Sequence, residues 1–326
     1  MADKFTVAMV VKNRDELPAW VVERLEANPS LVMKYGKCKT EEDLVALAGD
    51  ADMIWTMAQT PCLTASVLPR LRRCKAIFRS GSGMDGYPVE AATALGISMC
   101  NCPESISESV AEHAVSLLLS FLRQIPFVDA ATKAQTPGFT STARYHWHIS
   151  GRTLGLVGYG RIARRVAELL AGFRLTILCH DPFADEARMR ANGVEPVSLE
   201  TLLQRSDYIS LHCPLTNETK HLIGAKELAM MKPNAVLVNT SRGAVIDEKA
   251  LIEALQSHSI GGAALDVTEK EPVPADSPLL ALDNVILTPH IAAFSVDFER
   301  NFYECSIKVI EDCQKGDYKA HSMNLR

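Results

Sequence analysis

The residues Gly158-Tyr159-Gly160-Arg161-Ile162-Ala163 have the spacing of a turn that admits a phosphate. The first glycine allows a tight turn and the second lets a pyrophosphate approach the backbone. A small third residue, here Ala163 in place of the roomier glycine, lets the following helix lie close to the preceding strand. The strand-like TLGLV stands before this turn and the helical RIARRVAELL after it, the context that separates a nucleotide loop from an ordinary β-turn-α. Amides at the helix start, around Arg161 and Ile162, then face the negative phosphates. Asp181 stands 23 residues beyond Gly158, close to the roughly 20-residue spacing of the acid that binds the adenosine ribose hydroxyls. It would repel a 2′-phosphate, and Pro182 and Phe183 follow it where an arginine could have welcomed one, so NAD is favoured over NADP. Three further segments gather polar groups at the carboxyl ends of predicted strands, where open α/β sheets bind ligands: Asn239 to Gly243, Asp266 to Pro272, and Thr288 to His290.

The elements that must hold these groups follow from hydrophobic period. After Gly151, six apolar runs (TLGLVG, TILCHD, YISLH, AVLVNT, GGAALDV and VILTPH) alternate with helical patterns and predict a doubly wound parallel sheet. The runs FTVAMVV, DMIWTM and KAIFRS in the first hundred residues read as buried strands, with helical spacing between them at Leu17 to Leu25 and Glu41 to Ala48. The fold class is therefore α/β with two Rossmann-like doubly wound lobes. A long helical pattern from Ile106 to Ile125 follows Pro103. Ser105 and Glu108 have capping-box spacing at its start, and Pro126 is expected to stop it. Phe127 to Ser150 reads as a loop-rich connector. The tail from Val296 to Gly316 is again helical and is expected to return to the first lobe. The resulting division is 1–102 with 295–326 as a discontinuous first domain, and 103–294 as the dinucleotide-binding domain. Hinges are expected where the chain crosses, near Cys100 to Pro103 and Ala293 to Ser295.

Composition narrows the function class. A chain of 326 residues exceeds what one core usually supports, and 47% hydrophobic residues with a mean hydropathy of +0.03 exclude general disorder. A net charge of −5 offers no broad cationic field for phosphate backbones, which argues against nucleic-acid binding. The most apolar stretch, Val110 to Leu122, contains Glu112 and His113 and is shorter than the roughly 20 residues a bilayer core demands, so no membrane span is predicted. Nine cysteines without C-x-x-C spacing, and a start without a secretory pattern, predict reduced thiols in a cytoplasmic protein.

Taken in order, G-Y-G-R-I, L-H-C-P-L-T, V-N-T-S-R-G, L-D-V-x-x-x-E-P and L-T-P-H-I resemble the D-isomer-specific 2-hydroxyacid dehydrogenases over nearly the whole chain. The resemblance implies a flavodoxin-like substrate domain beside an NAD-binding domain, and a catalytic set of Arg242, Glu271 and His290. The chemistry explains those types. Reduction of a 2-keto acid needs hydride at the carbonyl carbon and a proton at its oxygen, which a cationic imidazole supplies. A carboxylate beside it favours the charged form, and a guanidinium offers forked donors to the substrate carboxylate and carbonyl oxygen. The resemblance further implies that Asp266 receives the nicotinamide carboxamide, and that Cys213 and Pro214, with Thr219 and Thr240, line the cofactor's inner face. It gives Ser82 and Gly83, within Ser80 to Asp85, the grip on the substrate carboxylate. Glu269 competes with Glu271 as the acid, but the family's acid immediately precedes proline, which leaves Glu269 as a solvated surface charge.

The chain also departs from the family. Phe294 brings an aromatic ring where small residues and a hydroxyl are common. Phosphoglycerate-type members carry arginines after the DMIWTM-like strand, whereas Thr56 to Thr60 supply none. A buried dianion needs cationic partners, so an unphosphorylated acid related to glyoxylate or hydroxypyruvate is expected. Arg79 and Arg144 keep the phosphoglycerate reading as an alternative. Arg144, His146, Trp147 and His148 are placed to reach a substrate pocket, and His146 with His148 lacks the third ligand a metal would need. Formate-oxidising relatives pair the histidine with an amide, which Glu271 is not. A corepressor-like protein that senses NAD(H) is the non-enzyme alternative. Members of the family dimerise through the long helix and the connector, so a homodimer is expected.

Overall fold

The computed structural model describes residues 4–57, 60–136 and 148–325. The chain divides into two compact units, Met1–Ile106 with Ser295–Arg326, and Ser107–Phe294. The first crossing falls four residues later than the sequence reading places it. Buried Ser105 donates its hydroxyl to the Cys102 carbonyl at 2.7 Å, which keeps the helix's first residues with the first unit. The expected capping box is not formed. The helix begins at Glu104, so Ser105 lies inside it, and Glu108 is turned to Arg165 at 2.7 Å.

In the first unit, β1 (Phe5–Met9), β2 (Val11–Lys12), β3 (Leu31–Lys37), β4 (Met53–Thr56), β5 (Ala76–Arg79) and β6 (Ser98–Asn101) form one sheet in the order β2-β3-β1-β4-β5-β6. All neighbours are parallel except the short β2, which runs against β3. Without β2 the order is the flavodoxin-like 2-1-3-4-5. Alternate side chains serve two cores, as a parallel sheet covered on both faces requires. Val7, Met9, Met53, Trp55 and Phe78 meet Tyr303, Ile307 and Ile310 of the terminal helix Phe298–Gln314. Ala8, Ile54, Ile77 and Met99 meet Leu44 and Leu68 on the other side. The tail therefore belongs to the first unit, as its pattern predicts. The Trp55 indole donates to Ser80 Oγ at 2.8 Å, and Ser80 Oγ is 2.8 Å from Ser306 Oγ, so β4, the end of β5 and the terminal helix are pinned through buried polar atoms. An open cavity of about 800 Å³ in this unit is lined by Lys4, Asp52, Arg73 and Lys75 among others. It lies at the amino ends of the strands, opposite the end where sheets of this type bind ligands.

In the second unit, β7 (Thr153–Val157), β8 (Thr176–His180), β9 (Val194–Pro196), β10 (Tyr208–Leu211), β11 (Val236–Asn239), β12 (Gly262–Leu265) and β13 (Val285–Leu287) run parallel in the order β13-β12-β11-β10-β7-β8-β9. This is the Rossmann order 3-2-1-4-5-6 with one strand added. The seventh strand escapes the sequence reading because β9 is three residues long and ends in proline. Helix Glu104–Leu122 lays Ala111, Ala114, Leu117, Leu118 and Phe121 on the sheet at helical spacing. Pro126 does not stop this helix. Gln124 turns the chain in the left-handed region at φ 55°, and Pro126 opens a second helix, Ile125–Lys133, in the first turn where its missing N–H is not needed. Among the described residues no single helix is long and apolar enough to cross a membrane.

The register Asn239↔Leu265 and Leu265↔Leu287 brings the carboxyl ends of β11, β12 and β13 into line. The loops that follow touch backbone to backbone: a Cβ on Gly243 would stand 1.9 Å from the carbonyl carbon and oxygen of Thr268. No side chain can yield there, so Gly243→Ala should destabilise the protein by about 2 kcal/mol or more, seen as a Tm lower by about 3 °C or more in calorimetry. An unchanged Tm would mean that the two loops are free to part.

At the end of β10, His212 keeps partial exposure as a residue, but desolvation pushes its imidazole down to about 4. The unfolded chain, with an ordinary histidine near 6.5, then binds more protons than the folded one between these values. Stability is full above about pH 6.5 and falls as pH drops toward about 4. In urea titrations between pH 4.5 and 8, His212→Asn should flatten that part of the profile. An identical slope in wild type and variant would contradict the assignment.

Candidate active site

The glycine loop leaves β7 through Gly158, at φ +93°. A Cβ there would stand 2.8 Å from the Cys213 amide nitrogen, so this position needs glycine both for its left-handed backbone and for its approach to the end of β10. Gly160 differs. Its Cβ would enter open space among the described residues, and helix Arg161–Leu169 begins behind it with no side-chain cap from the N-cap position. Buried Ala163 seats the helix on the sheet core. Arg161 is exposed and Ile162 half-buried beside Gly160. Asp181 reaches back from β8, accepting the Tyr159 amide on Oδ2 at 2.8 Å and the Phe183 amide on Oδ1 at 2.9 Å. The acid thus closes the glycine loop, with lone pairs left for further donors.

Cys213 is buried, and desolvation raises its thiol to about 11, so it is no nucleophile. After it, Thr219 accepts the Thr216 amide at 2.7 Å and donates to the Pro214 carbonyl at 2.5 Å, which fixes the 214–219 turn. Thr240, after β11, is buried and its hydroxyl meets no partner among the described residues. A buried hydroxyl of this kind costs free energy unless something bonds it. The open space at Gly160 and the unpartnered Thr240 both suit a bound dinucleotide.

Fully buried Asn239 shapes the turn that presents Arg242. Its Oδ1 accepts the amide and hydroxyl of Ser241 at 2.9 and 2.8 Å, and its Nδ2 donates to the Arg242 carbonyl at 2.9 Å. The Arg242 guanidinium donates to the Ser241 carbonyl at 2.8 Å. Gly243 then presses this turn onto Thr268, in the loop that carries Glu271.

Asp266, after β12, is 1% exposed. Its Oδ1 accepts the Thr288 hydroxyl at 2.6 Å and the Ile291 amide at 3.0 Å, and its Oδ2 accepts the Ala292 amide at 2.9 Å. Its backbone carbonyl takes the His290 amide at 2.8 Å. His113 Nε2 lies 3.5 Å from Oδ1. Burial opposes ionisation of this carboxyl but is outweighed by His113, Thr288 and the two amides, which hold it below the usual carboxylate range. The loop so held places His290 at φ 56°, with Nδ1 2.7 Å from Glu271 Oε2. Glu271 Oε1 accepts the Thr268 amide at 3.3 Å. The imidazole is half exposed, its side chain 48% accessible.

Glu269 is not merely a solvated charge. It pairs with His221 at 2.7 Å and accepts the Glu248 amide at 3.2 Å, joining the segment before β11 to the loop after β12. The sequence reading also passed over His113 and His212. His113 sits on an apolar helix face and gives no periodic signal. Ser82 and Gly83 belong to the first unit, after β5. Asn101 Nδ2 donates to the Ser82 carbonyl at 2.8 Å and Arg79 donates to the Gly83 carbonyl, while the two amides donate to no group among the described residues. Ala58 and Gln59, and Arg144, His146 and Trp147 of the connector, lie outside the described residues.

Comparison with known proteins supplies the frame. The family described as "D-isomer specific 2-hydroxyacid dehydrogenase, NAD binding domain" matches residues 115–292. The chain is 39% identical to a D-3-phosphoglycerate dehydrogenase of Methanocaldococcus jannaschii over 88% of its own length, but spans only 54% of that relative. It is 35% identical to a glyoxylate reductase of Korarchaeum cryptofilum, over 96% of this chain and 91% of the other. Among solved structures, the Aquifex aeolicus D-lactate dehydrogenase complexed with NAD and lactic acid is 29% identical with a TM-score of 0.82, covering 98% of this chain and 99% of that one. The matched family segment is more than half of the chain and contains the glycine loop, Arg242, Glu271 and His290, so the protein belongs to the D-isomer specific 2-hydroxyacid dehydrogenases.

Proposed function

We propose that the chain is an NAD-dependent oxidoreductase that transfers a hydride between nicotinamide and a small, unphosphorylated D-2-hydroxy acid or 2-keto acid of the glyoxylate and hydroxypyruvate kind. The observation that carries this reading is the 2.7 Å pair of Glu271 Oε2 and His290 Nδ1. With Nδ1 turned to the carboxylate, Nε2 is the ring nitrogen left to exchange a proton with a substrate oxygen.

Bound NAD would supply or accept the hydride. The open backbone at Gly160 with Arg161 and Ile162 would hold the pyrophosphate, Asp181 the ribose hydroxyls, and Cys213, Pro214, Thr219 and Thr240 the inner face. Asp266 has an acceptor position on Oδ2 beyond the Ala292 amide, which suits a carboxamide N–H. For the substrate, Arg242 would steady the carboxylate and the carbonyl oxygen. The unbonded amides of Ser82 and Gly83 suit a carboxylate as well. During reduction His290 gives its Nε2 proton to the substrate oxygen and is left as a neutral ring whose remaining proton, on Nδ1, faces Glu271; oxidation runs in reverse.

Of the two arginines that keep a phosphate in play, Arg144 lies outside the described residues, and the preference for an unphosphorylated acid is supported by Arg79. Its guanidinium is already engaged by the Gly83 carbonyl and lies 6.0 Å from the centre of the Tyr87 ring. The 39% identity to a phosphoglycerate dehydrogenase keeps that substrate as the second reading. A homodimer in the cytoplasm fits two further facts: helix Ile125–Lys133 has no fully buried residue, with Phe127 only partly covered by the unit's core, and all nine cysteines are free.

Turnover of glyoxylate, hydroxypyruvate and phosphohydroxypyruvate with NADH tests the reading. Activity should favour the unphosphorylated acids, and His290→Gln should lower kcat by about 10²- to 10⁴-fold while NADH fluorescence titration still shows binding. A fully active His290→Gln variant would overturn the proton assignment, and a preference for the phosphorylated acid would select the second reading.

The cofactor site has its own test. Gly160→Ala adds a methyl group where, apart from its chain neighbours, no described residue lies within 4 Å, so Tm should hold while NADH affinity falls at least tenfold. Undiminished affinity would move the pyrophosphate elsewhere, and equal rates with NADPH would contradict the role given to Asp181.

A further inference from the structure

His113 lies on helix Glu104–Leu122, six residues after the second unit begins at Ser107, and its side chain is 22% exposed. Its Nε2 is 3.1 Å from Thr288 Oγ1. The Thr288 hydroxyl has one proton and commits it to Asp266 Oδ1 at 2.6 Å. Its oxygen can therefore only accept from His113, which fixes the His113 tautomer as Nε2–H. A directed chain results, running from His113 through Thr288 to Asp266.

Asp266 in turn holds the next loop at three consecutive residues. The His290 amide bonds its backbone carbonyl, and the Ile291 and Ala292 amides bond its carboxylate. His290 sits in the left-handed region, at φ 56°, where a residue with a side chain stays only if its surroundings hold it. Those same bonds aim its Nδ1 at Glu271. From this geometry we infer that His113 is a positioning residue for the proposed proton donor: its Nε2–H completes the chain that locks His290 in the conformation facing Glu271.

The inference rests on the reading of His290 as the proton carrier, and the tests separate the two. His113→Leu removes the donor and keeps apolar bulk on the helix. His113→Gln returns an N–H close to the Nε2 position. Thr288→Val breaks the chain one link further on without altering His113. With NADH and glyoxylate, His113→Leu should lower kcat by about 10- to 100-fold, the scale of a reacting group displaced by about an ångström. KM for NADH should change less than about threefold, and His113→Gln should regain most of the rate. Thr288→Val should match His113→Leu, and the double variant should be no worse than either single one, as members of one network behave.

A second readout does not depend on turnover. In ¹⁵N-histidine spectra of the protein without substrate, the His290 ring resonances, assigned with His290→Gln, should move in His113→Leu and return in His113→Gln. A folded His113→Leu variant with unchanged kcat and unchanged His290 resonances would overturn the inference. So would a His113→Gln variant as impaired as His113→Leu, which would reduce the role to shape. If the wild-type protein turns over no 2-keto acid, the proposed function fails and the spectra still decide the role of His113.

Discussion

A carboxylate with almost no exposed surface is tolerable only if donors surround it, and Asp266 is surrounded by groups drawn from two stretches of chain, His113 on its helix and the segment from Thr288 to Ala292. The cost of burying that charge is what gives the arrangement its rigidity. Removing any donor leaves the others bonded to an ion that water does not reach, so the loop after β13 has no comparable alternative conformation. The left-handed turn at His290 and the contact with Glu271 both follow from this. Neither residue of the proposed proton-transfer pair is deeply buried, yet each is aimed by atoms that are.

A second constraint is the approach of backbone to backbone where strands end. At Gly158 the nucleotide loop touches the end of β10, and at Gly243 the turn bearing Arg242 touches the loop bearing Glu271. Such contacts have no flexible side chain between them, so the spacing of functional groups on neighbouring strands is set by main chain alone. Asn239 serves the same end with a side chain, folding the segment between β11 and Arg242 onto itself. Together these features explain how groups far apart in sequence, Arg242, Glu271 and His290, come from three adjacent strand ends in register.

Much of this was legible in the residues. The glycine fingerprint in its strand-turn-helix context, the position of Asp181, the strands β1, β4 and β5 of the first sheet with six of the second, and the return of the tail are local patterns, whereas the half-exposed β3 and the four-residue β6 left no such signal. What was not legible depends on partners distant in the chain. Glu108 has capping-box spacing from Ser105, but Arg165, 57 residues away, holds it instead. Pro126 reads equally well as a stop or as a first-turn residue, and the left-handed Gln124 before it decides between them. Glu269 looks like a surface charge until His221 is brought beside it. His113, on an otherwise apolar helix face, acquires meaning only from Asp266 and Thr288, 153 and 175 positions further along. The three-residue β9 is simply too short to produce a period.

Asp181 illustrates how tightly such a scaffold couples recognition to architecture. The carboxylate proposed to discriminate between dinucleotides also receives the Tyr159 amide, inside the loop that would hold their shared diphosphate. A designer wishing to invert coenzyme preference by neutralising this side chain would at the same time unfasten the cradle common to both coenzymes. Selectivity and affinity are therefore not independent dials at this position, and an exchange would succeed only with a substitute acceptor for that one main-chain hydrogen.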